Sequence, residues 1–305
     1  LILAATGVAT VAAAALAAHA DVSGPVAALL VVVPVAVGDA LAPLVDAMRS
    51  LARSAVAKAR MAALLDQRPA VAEPATRGEP AAYLDGRPHL RIRDVTASWT
   101  GARTDLPATT LDLPPGRRVA IVGANGSGKS TLLAVLARHL DATSGNYTLD
   151  GVDVRDLPVE AVRRLIAVVD DEPHVFASTL RANLLVASPD ATDSDVTRAL
   201  RGAGLSGWLT ALPDGLDTVL GTGGRGISGG ERARLGLARA LVSGRPIILL
   251  DEPVAHLDHA TAEAILADLT GATHDRTVVM VSHRDDGFSG FDHIIDLTPA
   301  HHLGG

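Results

Sequence analysis

The chain has 305 residues, of which 48% are hydrophobic and only 2% aromatic, and its formal net charge is −7. That length is enough for one large domain or two smaller ones with a sizeable core. The acidic balance excludes a nucleic-acid binder that acts through a basic surface. The absence of cysteine excludes disulfides, thiolate metal sites and a cysteine nucleophile. Because the first residue is Leu1 rather than Met, we expect that part of the protein precedes it.

Two apolar segments begin the chain. Residues 1–18 carry no charged side chain, and residues 26–45 are apolar with Asp39 as their one charge. This length reaches the lower limit of a membrane-spanning helix, about 17–25 residues. A secretory signal and a buried core helix are the alternatives, but a signal peptide needs a basic start, which is absent here. We therefore predict two helices in the lipid bilayer, at about 1–18 and 25–47.

The charges around the second apolar segment predict its orientation. Four basic residues follow it, whereas the break between the segments carries only Asp21. Since basic residues stay on the cytoplasmic side, the second helix should emerge into the cytoplasm. Asp39 is either a functional ionisable residue or a residue with only a packing role. The basic residues are Arg49, Arg53, Lys58 and Arg60.

A change of pattern divides the chain into parts. The Ala/Leu/Arg pattern of residues 48–65 predicts a helix that continues the second span. Prolines then indicate an extended linker, and apolar residues typical of strands begin at Leu90. We predict the end of a membrane domain over 1–65, a linker over 66–88 and a second domain over 89–305.

A phosphate-binding loop is the clearest motif of the second domain. A short apolar strand at 119–122 leads into a sequence that fits G-x-x-x-x-G-K-[ST], and the apolar face of a helix follows. Glycines let the backbone direct its N–H groups at a phosphate, and the helix N-terminus adds favourable partial charge. We expect Lys129 to reach the β- and γ-phosphates of a nucleotide and Ser130 to hold Mg²⁺. The predicted nucleotide-binding residues of this loop are Gly123, Ala124, Asn125, Gly126, Ser127, Gly128, Lys129, Ser130 and Thr131.

Such a loop needs a carboxylate for its metal ion, and a buried strand supplies one. Residues 247–250 predict a parallel strand, and Asp251 and Glu252 follow at its carboxyl end. We expect Asp251 to support Mg²⁺ and Glu252 to polarise the attacking water. A second apolar strand, 277–281, ends just before His283, which is either structural or a contact of the γ-phosphate.

A Ser-Gly-Gly sequence completes a set of motifs that resembles the nucleotide-binding domain of ABC transporters over about residues 88–298. Ser228, Gly229 and Gly230 match the family signature, with Ile for the usual Leu and Glu231 for the usual Gln. In this family two domains pair head to tail, and the signature of one closes on the ATP held by the other. The resemblance implies an α/β P-loop NTPase with a helical subdomain that hydrolyses ATP with Mg²⁺.

The resemblance also implies roles for single residues. Trp99 lies where the family places an aromatic side chain that stacks on adenine. Residues 254–258 resemble the D-loop, and His283 resembles the switch histidine that orients the γ-phosphate. With Lys129 neutralising charge and Glu252 as the base, these residues form the expected catalytic set.

Outside the signature, one position clearly departs from the family pattern. Aligning residues 168–176 puts Asp171 where the family has a Gln that links the metal ion to the membrane domain. A carboxylate can ligate Mg²⁺ directly or through water, but it adds negative charge beside phosphates. We hypothesise that the ATP site of this chain is modified in rate or coupling and not dead, because Glu252 and His283 remain.

Within the family, short stretches at 40–44, 176–184 and 252–258 resemble the CydC and CydD subunit families, with CydC preferred. This resemblance implies a bacterial inner-membrane heterodimer with a CydD-like half-transporter. It also implies export of a small thiol, cysteine or glutathione, in support of cytochrome bd assembly. Family half-transporters carry six membrane helices, so the two here would be the fifth and sixth. The alternatives are an exporter of a lipid, peptide or drug, and a soluble regulatory ATPase, against which the apolar segments argue.

Overall fold

The computed structural model describes residues 2–19, 23–66, 69–74, 86–221, 226–255, 257–283 and 288–297. It divides into two compact units, Leu1–Pro69 and Ala70–Gly305. The boundary falls inside the predicted linker 66–88, and residues 67, 68 and 75–85 of that linker lie outside the described residues.

The first unit consists of two helices, α1 (Ile2–His19) and α2 (Gly24–Leu65). The helix α2 continues through Pro34 and Pro43 and includes the predicted extension beyond residue 47. The two helices pack closely at Gly38, where an added Cβ would lie 2.4 Å from Cγ2 of Thr6. A small residue at such a point lets two helices approach each other, as is common in membrane proteins.

The length and composition of these helices bear on the predicted membrane spans. Within the described residues, one helix, Gly24–Ala63, is long and apolar enough to cross a membrane by these criteria, and the apolar stretch Thr6–His19 is shorter. Only 6% of the most apolar window of that longer helix is buried inside the chain. Asp39 is exposed in this unit. The two spans stay predictions.

The second unit contains two β-sheets. The strands are β1 (Leu90–Ala97), β2 (Leu106–Leu113), β3 (Arg118–Val122), β4 (Ser144–Leu149), β5 (Val152–Asp153), β6 (Ile166–Val169), β7 (Ile247–Asp251), β8 (Thr277–Val281) and β9 (His293–Asp296). The first sheet is antiparallel, with strand order β2-β1-β4-β5, and the second is parallel throughout, with order β6-β7-β8-β3-β9. The predicted strands at 119–122, 247–250 and 277–281 are confirmed as β3, β7 and β8.

Helices cover the parallel sheet and build a separate helical region. The apolar residues after the P-loop predict a helix that includes Leu140. The helix observed there, α3 (Lys129–Leu136), ends before Leu140, which is nevertheless buried. The helices of this unit are α3 (Lys129–Leu136), α4 (Val159–Arg164), α5 (Leu180–Leu185), α6 (Asp193–Gly202), α7 (Ser206–Ala211), α8 (Gly229–Val242) and α9 (His259–Ala272).

The parallel sheet is buried on both faces, since alternate side chains of its strands enter two different cores. Val119 and Ile121 of β3 lie in the core shared with α3 and the antiparallel sheet. Ala120 and Val122 lie in the core shared with α5, α6, α8 and α9. Two-sided burial explains why these strands read as continuous apolar runs. The predicted fold class, an α/β P-loop NTPase with a helical subdomain, is confirmed.

Candidate functional site

The P-loop turns sharply between β3 and α3 because three glycines adopt positive φ angles. Gly123, Gly126 and Gly128 have φ angles of 148°, 81° and 100°. Gly128 caps the N-terminus of α3, and a Cβ there would lie 2.8 Å from the carbonyl oxygen of Asp105. The loop therefore ends on a helix N-terminus, where partial positive charge favours an anion.

Lys129 is buried, with 6% of its surface exposed. Its Nζ donates hydrogen bonds to the carbonyl oxygens of Gly123, at 2.7 Å, and Ala124, at 3.1 Å. These contacts hold the ammonium group inside the curve of the loop. The side chain is thus positioned to exchange backbone acceptors for phosphate oxygens.

The remaining predicted residues meet at one edge of the parallel sheet. Strands β6, β7, β8 and β3 are neighbours and run in the same direction, so their carboxyl ends share this edge. This is where ligands bind in open α/β sheets. The residues that follow these strands are Asp170 and Asp171 after β6, Glu252 after β7, Ser282 and His283 after β8, and the P-loop after β3; Asp251 is the last residue of β7.

Asp251 lies beside the P-loop helix and among other carboxylates. The hydroxyl of Ser130 donates to its Oδ1 across 3.4 Å. Burial raises the pKa of Asp251, and the negative charges of Glu252, Asp171 and Asp170 raise it further against the hydrogen bond from Ser130. A carboxylate that is costly to ionise in isolation is stabilised by a nearby cation.

This donor set fits Mg²⁺. The ion usually binds one or two protein oxygens together with the phosphates of a nucleotide, and Ser130 and Asp251 offer a hydroxyl and a carboxylate oxygen next to the P-loop. Within the described ranges, no group of three or more His, Asp or Glu residues is arranged to hold a metal ion without such phosphates. Ser130 and Asp251 therefore suit Mg²⁺ only together with the phosphates of a nucleotide held by the P-loop.

Glu252 and His283 contact each other directly. The Nδ1 of His283 lies 2.8 Å from Oε2 of Glu252. Glu252 has a φ angle of 46°, a conformation that is unfavourable for a residue with a side chain and is frequent at functional sites. Its N–H donates to the carbonyl of Val281 at 3.1 Å, and its own carbonyl accepts from Ala255 at 3.0 Å. The backbone thus fixes the carboxylate in one direction.

Trp99 lies just after β1, next to the P-loop helix, with half of its surface exposed. Its indole Nε1 is 3.4 Å from Oγ1 of Thr131, and its backbone N–H donates to the carboxylate of Asp105 at 2.8 Å. That hydrogen bond is the main reason why the pKa of Asp105 lies below its usual value. An exposed aromatic ring beside the loop suits a stacking role toward a base.

The Ser-Gly-Gly signature begins α8 with a complete capping box. Oγ of Ser228 accepts from the N–H of Glu231 at 3.2 Å, and the Glu231 carboxylate accepts from the N–H of Ser228 at 2.7 Å. A Cβ on Gly229 or Gly230 would lie 3.5 Å from Leu257 or 3.3 Å from Thr261. The acidic residue that departs from the family signature thus has a structural role at this helix end.

The structure therefore brings together the P-loop, Trp99, Asp171, Asp251, Glu252 and His283. The hydrogen bonds of Ser228 instead lie within its own helix end. Of the D-loop stretch 254–258, His256 lies outside the described residues, and Asp258 caps α9 by accepting from the N–H of Thr261 at 3.0 Å.

Several residues of this site were not predicted from the sequence. Asp105 accepts a hydrogen bond from the N–H of Trp99, and its carbonyl limits the space beside Gly128; no sequence pattern connects these three positions. Asp170 adds charge beside Asp171, and its place directly after the apolar run of β6 is a signal that could have identified it. Buried Asn183 links α8 to the segment after β6, since its Oδ1 accepts from Arg239 of α8 at 2.8 Å and from the N–H of Phe176 at 2.9 Å.

Part of the second unit matches a known protein family. A sequence profile described as "ABC transporter" matches residues 106–255, which include the P-loop, the signature and the end of β7. The chain is thus similar to this family over just under half of its length. We refer to the second unit, Ala70–Gly305, as the cassette.

Curated relatives of the cassette are transporters of several kinds. The chain is 39% identical over 273 residues to the glutathione/L-cysteine transport system ATP-binding/permease protein CydC of Escherichia coli (strain K12). It is 44% identical over 197 residues to the mycobactin import ATP-binding/permease protein IrtB of Mycolicibacterium thermoresistibile. It is 37% identical over 236 residues to the ATP-dependent lipid A-core flippase of Thiobacillus denitrificans.

The extent of these matches differs. They cover 89%, 65% and 77% of this chain, in the same order, but only 47%, 34% and 40% of the relatives. The chain thus spans at most about half the length of the curated relatives it matches. Among solved structures, a bacterial Atm1-family ABC exporter with ATP bound resembles it with a TM-score of 0.67 and 26% identity, over 97% of this chain and 52% of the exporter chain.

Proposed function

We propose that this chain is the ATP-binding and ATP-hydrolysing part of an ABC exporter subunit. The observation that carries this proposal is the shared sheet edge, where the P-loop, Asp251 and the hydrogen-bonded pair of Glu252 and His283 converge. The likeness to an Atm1-family exporter over 97% of the chain supports the exporter architecture.

The residues of the cassette then divide the work of hydrolysis. Mg²⁺, held by Ser130 and Asp251, would supply charge neutralisation at the β- and γ-phosphates. Lys129 binds the same phosphates from inside the loop. Glu252 orients the attacking water and accepts its proton, while His283 holds the Glu252 carboxylate in place.

A second cassette is the partner that this arrangement requires. The signature at Ser228 begins a helix whose N-terminal N–H groups and dipole suit an anion, yet its hydrogen bonds lie within its own helix end. We infer that it binds the γ-phosphate of ATP held by a partner subunit, as in the head-to-tail pairs of the family.

The helices of the first unit are proposed to lie in the bacterial inner membrane, with the cassette in the cytoplasm. Apolar side chains along both predicted spans are exposed in the chain, for example Val11 at 71% and Leu29 at 62%. Exposure of this kind is costly in water and favourable in lipid. Extraction of membranes with alkaline carbonate should leave the chain in the pellet, whereas recovery in the aqueous fraction would favour a soluble regulatory ATPase.

For the substrate, we propose a small thiol such as cysteine or glutathione, and a heterodimer with a CydD-like subunit. The match to CydC covers 273 residues, more than the cassette contains, so it must extend into the first unit. The match to IrtB covers 197 residues, fewer than the cassette contains. The link to cytochrome bd assembly stays a prediction.

ATP hydrolysis is tested by Glu252→Gln, compared with Glu263→Gln, which neutralises an exposed carboxylate on α9. We expect Glu252→Gln to bind ATP and to lower kcat by about 100-fold or more, and Glu263→Gln to leave kcat unchanged. Near-normal turnover of Glu252→Gln would refute the role of this residue.

Asp171 gives a second test of the same site. Its charge contributes to the raised pKa of Asp251, so Asp171→Gln should ease the approach of ATP and change the ATPase rate or its coupling to transport. Unchanged ATPase and unchanged transport would show that this departure from the family has no functional effect.

The substrate is tested with inside-out vesicles that contain the whole subunit and its partner. We expect ATP-dependent accumulation of labelled glutathione or cysteine, and none when Glu252→Gln replaces the wild type. ATP-dependent movement of a lipid or peptide without thiol uptake would favour the alternative exporter.

A further inference from the structure

The first residues of the cassette, which precede its sheet, make specific contacts with the end of the P-loop helix. Residues 69–74 lie in the segment for which the sequence predicts only an extended linker. The carbonyl of Ala70 accepts from the N–H of Asp141 at 2.9 Å. The N–H of Ala72 donates to Oδ2 of Asp141 at 2.8 Å, so Asp141 binds this segment on both sides of Val71.

Arg138 adds a third contact to the same segment. Its Nη2 donates to the carbonyl of Ala72 at 3.2 Å, and its Nε lies 3.1 Å from Oδ1 of Asp141. Arg138 is 1% exposed, and another of its nitrogens donates to the carbonyl of Val154. A buried guanidinium held in this way is a rigid donor, since its neighbours fix its orientation.

These contacts attach the segment to the end of the P-loop helix. Arg138 follows α3 with a φ angle of 54°, and the N–H groups of His139 and Leu140 both donate to the carbonyl of Ala134. The carbonyl of Arg138 also accepts from Arg163 at 2.7 Å. Asp141 is therefore tied to the C-terminal end of α3, whose first residues, Lys129 and Ser130, lie in the nucleotide site.

We propose that residues 70–73 form a docking segment, held by its main chain on Arg138 and Asp141, that couples the P-loop helix to the chain leading to the membrane helices. The helix has eight residues, about 12 Å at the usual rise, so one short rigid element joins the nucleotide site to the docking segment. This inference rests on the proposed nucleotide binding. It adds a route of coupling at the end of α3.

The coupling has a thermodynamic consequence that can be measured. If binding of nucleotide moves α3 and thereby changes the docking equilibrium of the docking segment by some factor, undocking must change the nucleotide affinity by that same factor. Two substitutions remove the same hydrogen bond from its two ends. Asp141→Ala removes the acceptor, and Ala72→Pro removes the donor at an exposed position without altering α3.

The experiment uses the 305-residue chain in detergent micelles, with Asp190→Ala as a control that removes an exposed carboxylate elsewhere. Hydrogen–deuterium exchange reports docking through the amide of residue 141, which donates to the carbonyl of Ala70 and is present in both variants, and titration with the ATP analogue AMP-PNP in Mg²⁺ reports affinity. We expect both variants to raise the exchange rate by about 10-fold and to shift the Kd in one common direction by about 5-fold or more. The double variant should add nothing further.

Two results would overturn the proposal. An unchanged rate of hydrogen–deuterium exchange in both variants would show that Arg138 and Asp141 do not hold the docking segment. Faster exchange with an unchanged Kd would show that docking is only structural. A wild-type chain that binds no AMP-PNP would instead refute the proposed nucleotide site and the coupling with it, while the exchange rates still decide the docking.

Discussion

His283 donates a hydrogen bond from Nδ1 to Oε2 of Glu252 across 2.8 Å, which joins the ends of two adjacent parallel strands. The carboxylate is thereby oriented by a side chain from the segment that follows β8, and the backbone of Glu252 is fixed at a φ angle of 46°. This pairing of a base with a group that orients it is a general arrangement for activating a nucleophile.

We expect His283→Ala to lower kcat for ATP hydrolysis by about 100-fold, because a misplaced base loses a factor of this order. The Kd for ATP should change little, since Lys129 and the P-loop are untouched. The measurement is steady-state ATPase activity together with nucleotide titration. His274→Ala serves as the control, because His274 is exposed and its ring forms a hydrogen bond with the local backbone carbonyl of Gly271. A kcat within twofold of the wild type would contradict the role of His283.

Asp251 gives the site a pH dependence. Burial and the neighbouring carboxylates raise its pKa in the folded chain above the ordinary value of 3.8. Between these two pKa values the folded chain binds more protons than the unfolded chain. The free energy of unfolding therefore falls as pH rises through this interval, and the full cost is present above the raised pKa.

Because ionised Asp251 destabilises the folded chain, we expect Asp251→Asn to raise the Tm of the nucleotide-free chain at pH 7.5. This gain in Tm should shrink as the pH falls toward 3.8, the ordinary pKa of an Asp carboxyl. The amide oxygen of Asn can still accept from Ser130, so the hydrogen bond is kept. Thermal unfolding between pH 4 and pH 8 in detergent measures the difference. A gain of equal size at every pH would show that the charge of Asp251 is not its cause.

Gly128 and Gly126 separate the effect of steric contact from that of backbone conformation. Both glycines have positive φ angles. A Cβ added at Gly128 would lie 2.8 Å from the carbonyl oxygen of Asp105, whereas a Cβ added at Gly126 would have no atom within 4 Å among the described residues. We expect Gly126→Ala to cost about 1 kcal/mol for the left-handed conformation. Gly128→Ala should cost about 1–3 kcal/mol more from overpacking, and it should weaken ATP binding.

Urea unfolding of the two variants measures this difference. Equal losses of stability would show that β2 yields to the new methyl group and that Asp105 does not constrain the loop. An unchanged Kd for ATP in Gly128→Ala would further show that the position of the helix N-terminus tolerates the shift.

Much of the fold could be predicted from sequence because its signals are local. The apolar runs at β3, β7 and β8 mark strands buried on both faces, and the glycine pattern of the P-loop fixes its place between a strand and a helix. Parallel pairing then puts Asp251, Glu252 and His283 at one edge without further information.

The parts that could not be predicted depend on contacts between distant positions. The approach of Gly128 to Asp105 and the docking of Ala72 on Asp141 leave no periodic pattern, since each joins residues that are far apart in the chain. Glu231 is a different case. The spacing from Ser228 to Glu231 fits the capping box S-x-x-E, so the structural role of Glu231 has a local sequence signal, whereas the family resemblance marks this residue only as a departure.

The capping box at α8 sets helix stability against anion binding. The Glu231 carboxylate accepts from the N–H of Ser228 at 2.7 Å, and a negative charge there is favourable with the helix dipole. The same charge opposes a phosphate at the helix N-terminus. Glu231→Gln keeps an oxygen that can accept the hydrogen bond but removes the charge. It should therefore lower the free energy of unfolding by only about 0.5 kcal/mol. It should also strengthen the contact of this helix N-terminus with the γ-phosphate of ATP held by a partner cassette.

Paired measurements distinguish these two effects. Chemical unfolding gives the stability, and sedimentation in the Glu252→Gln background gives the fraction of chain that associates when MgATP is added. We expect Glu231→Gln to associate at a lower ATP concentration, whereas Glu231→Ala, which also loses the cap, should lose about 1 kcal/mol of stability. If Glu231→Gln instead required more ATP to associate, the carboxylate would be assisting the contact between cassettes, because its removal weakens the pair while the cap is retained.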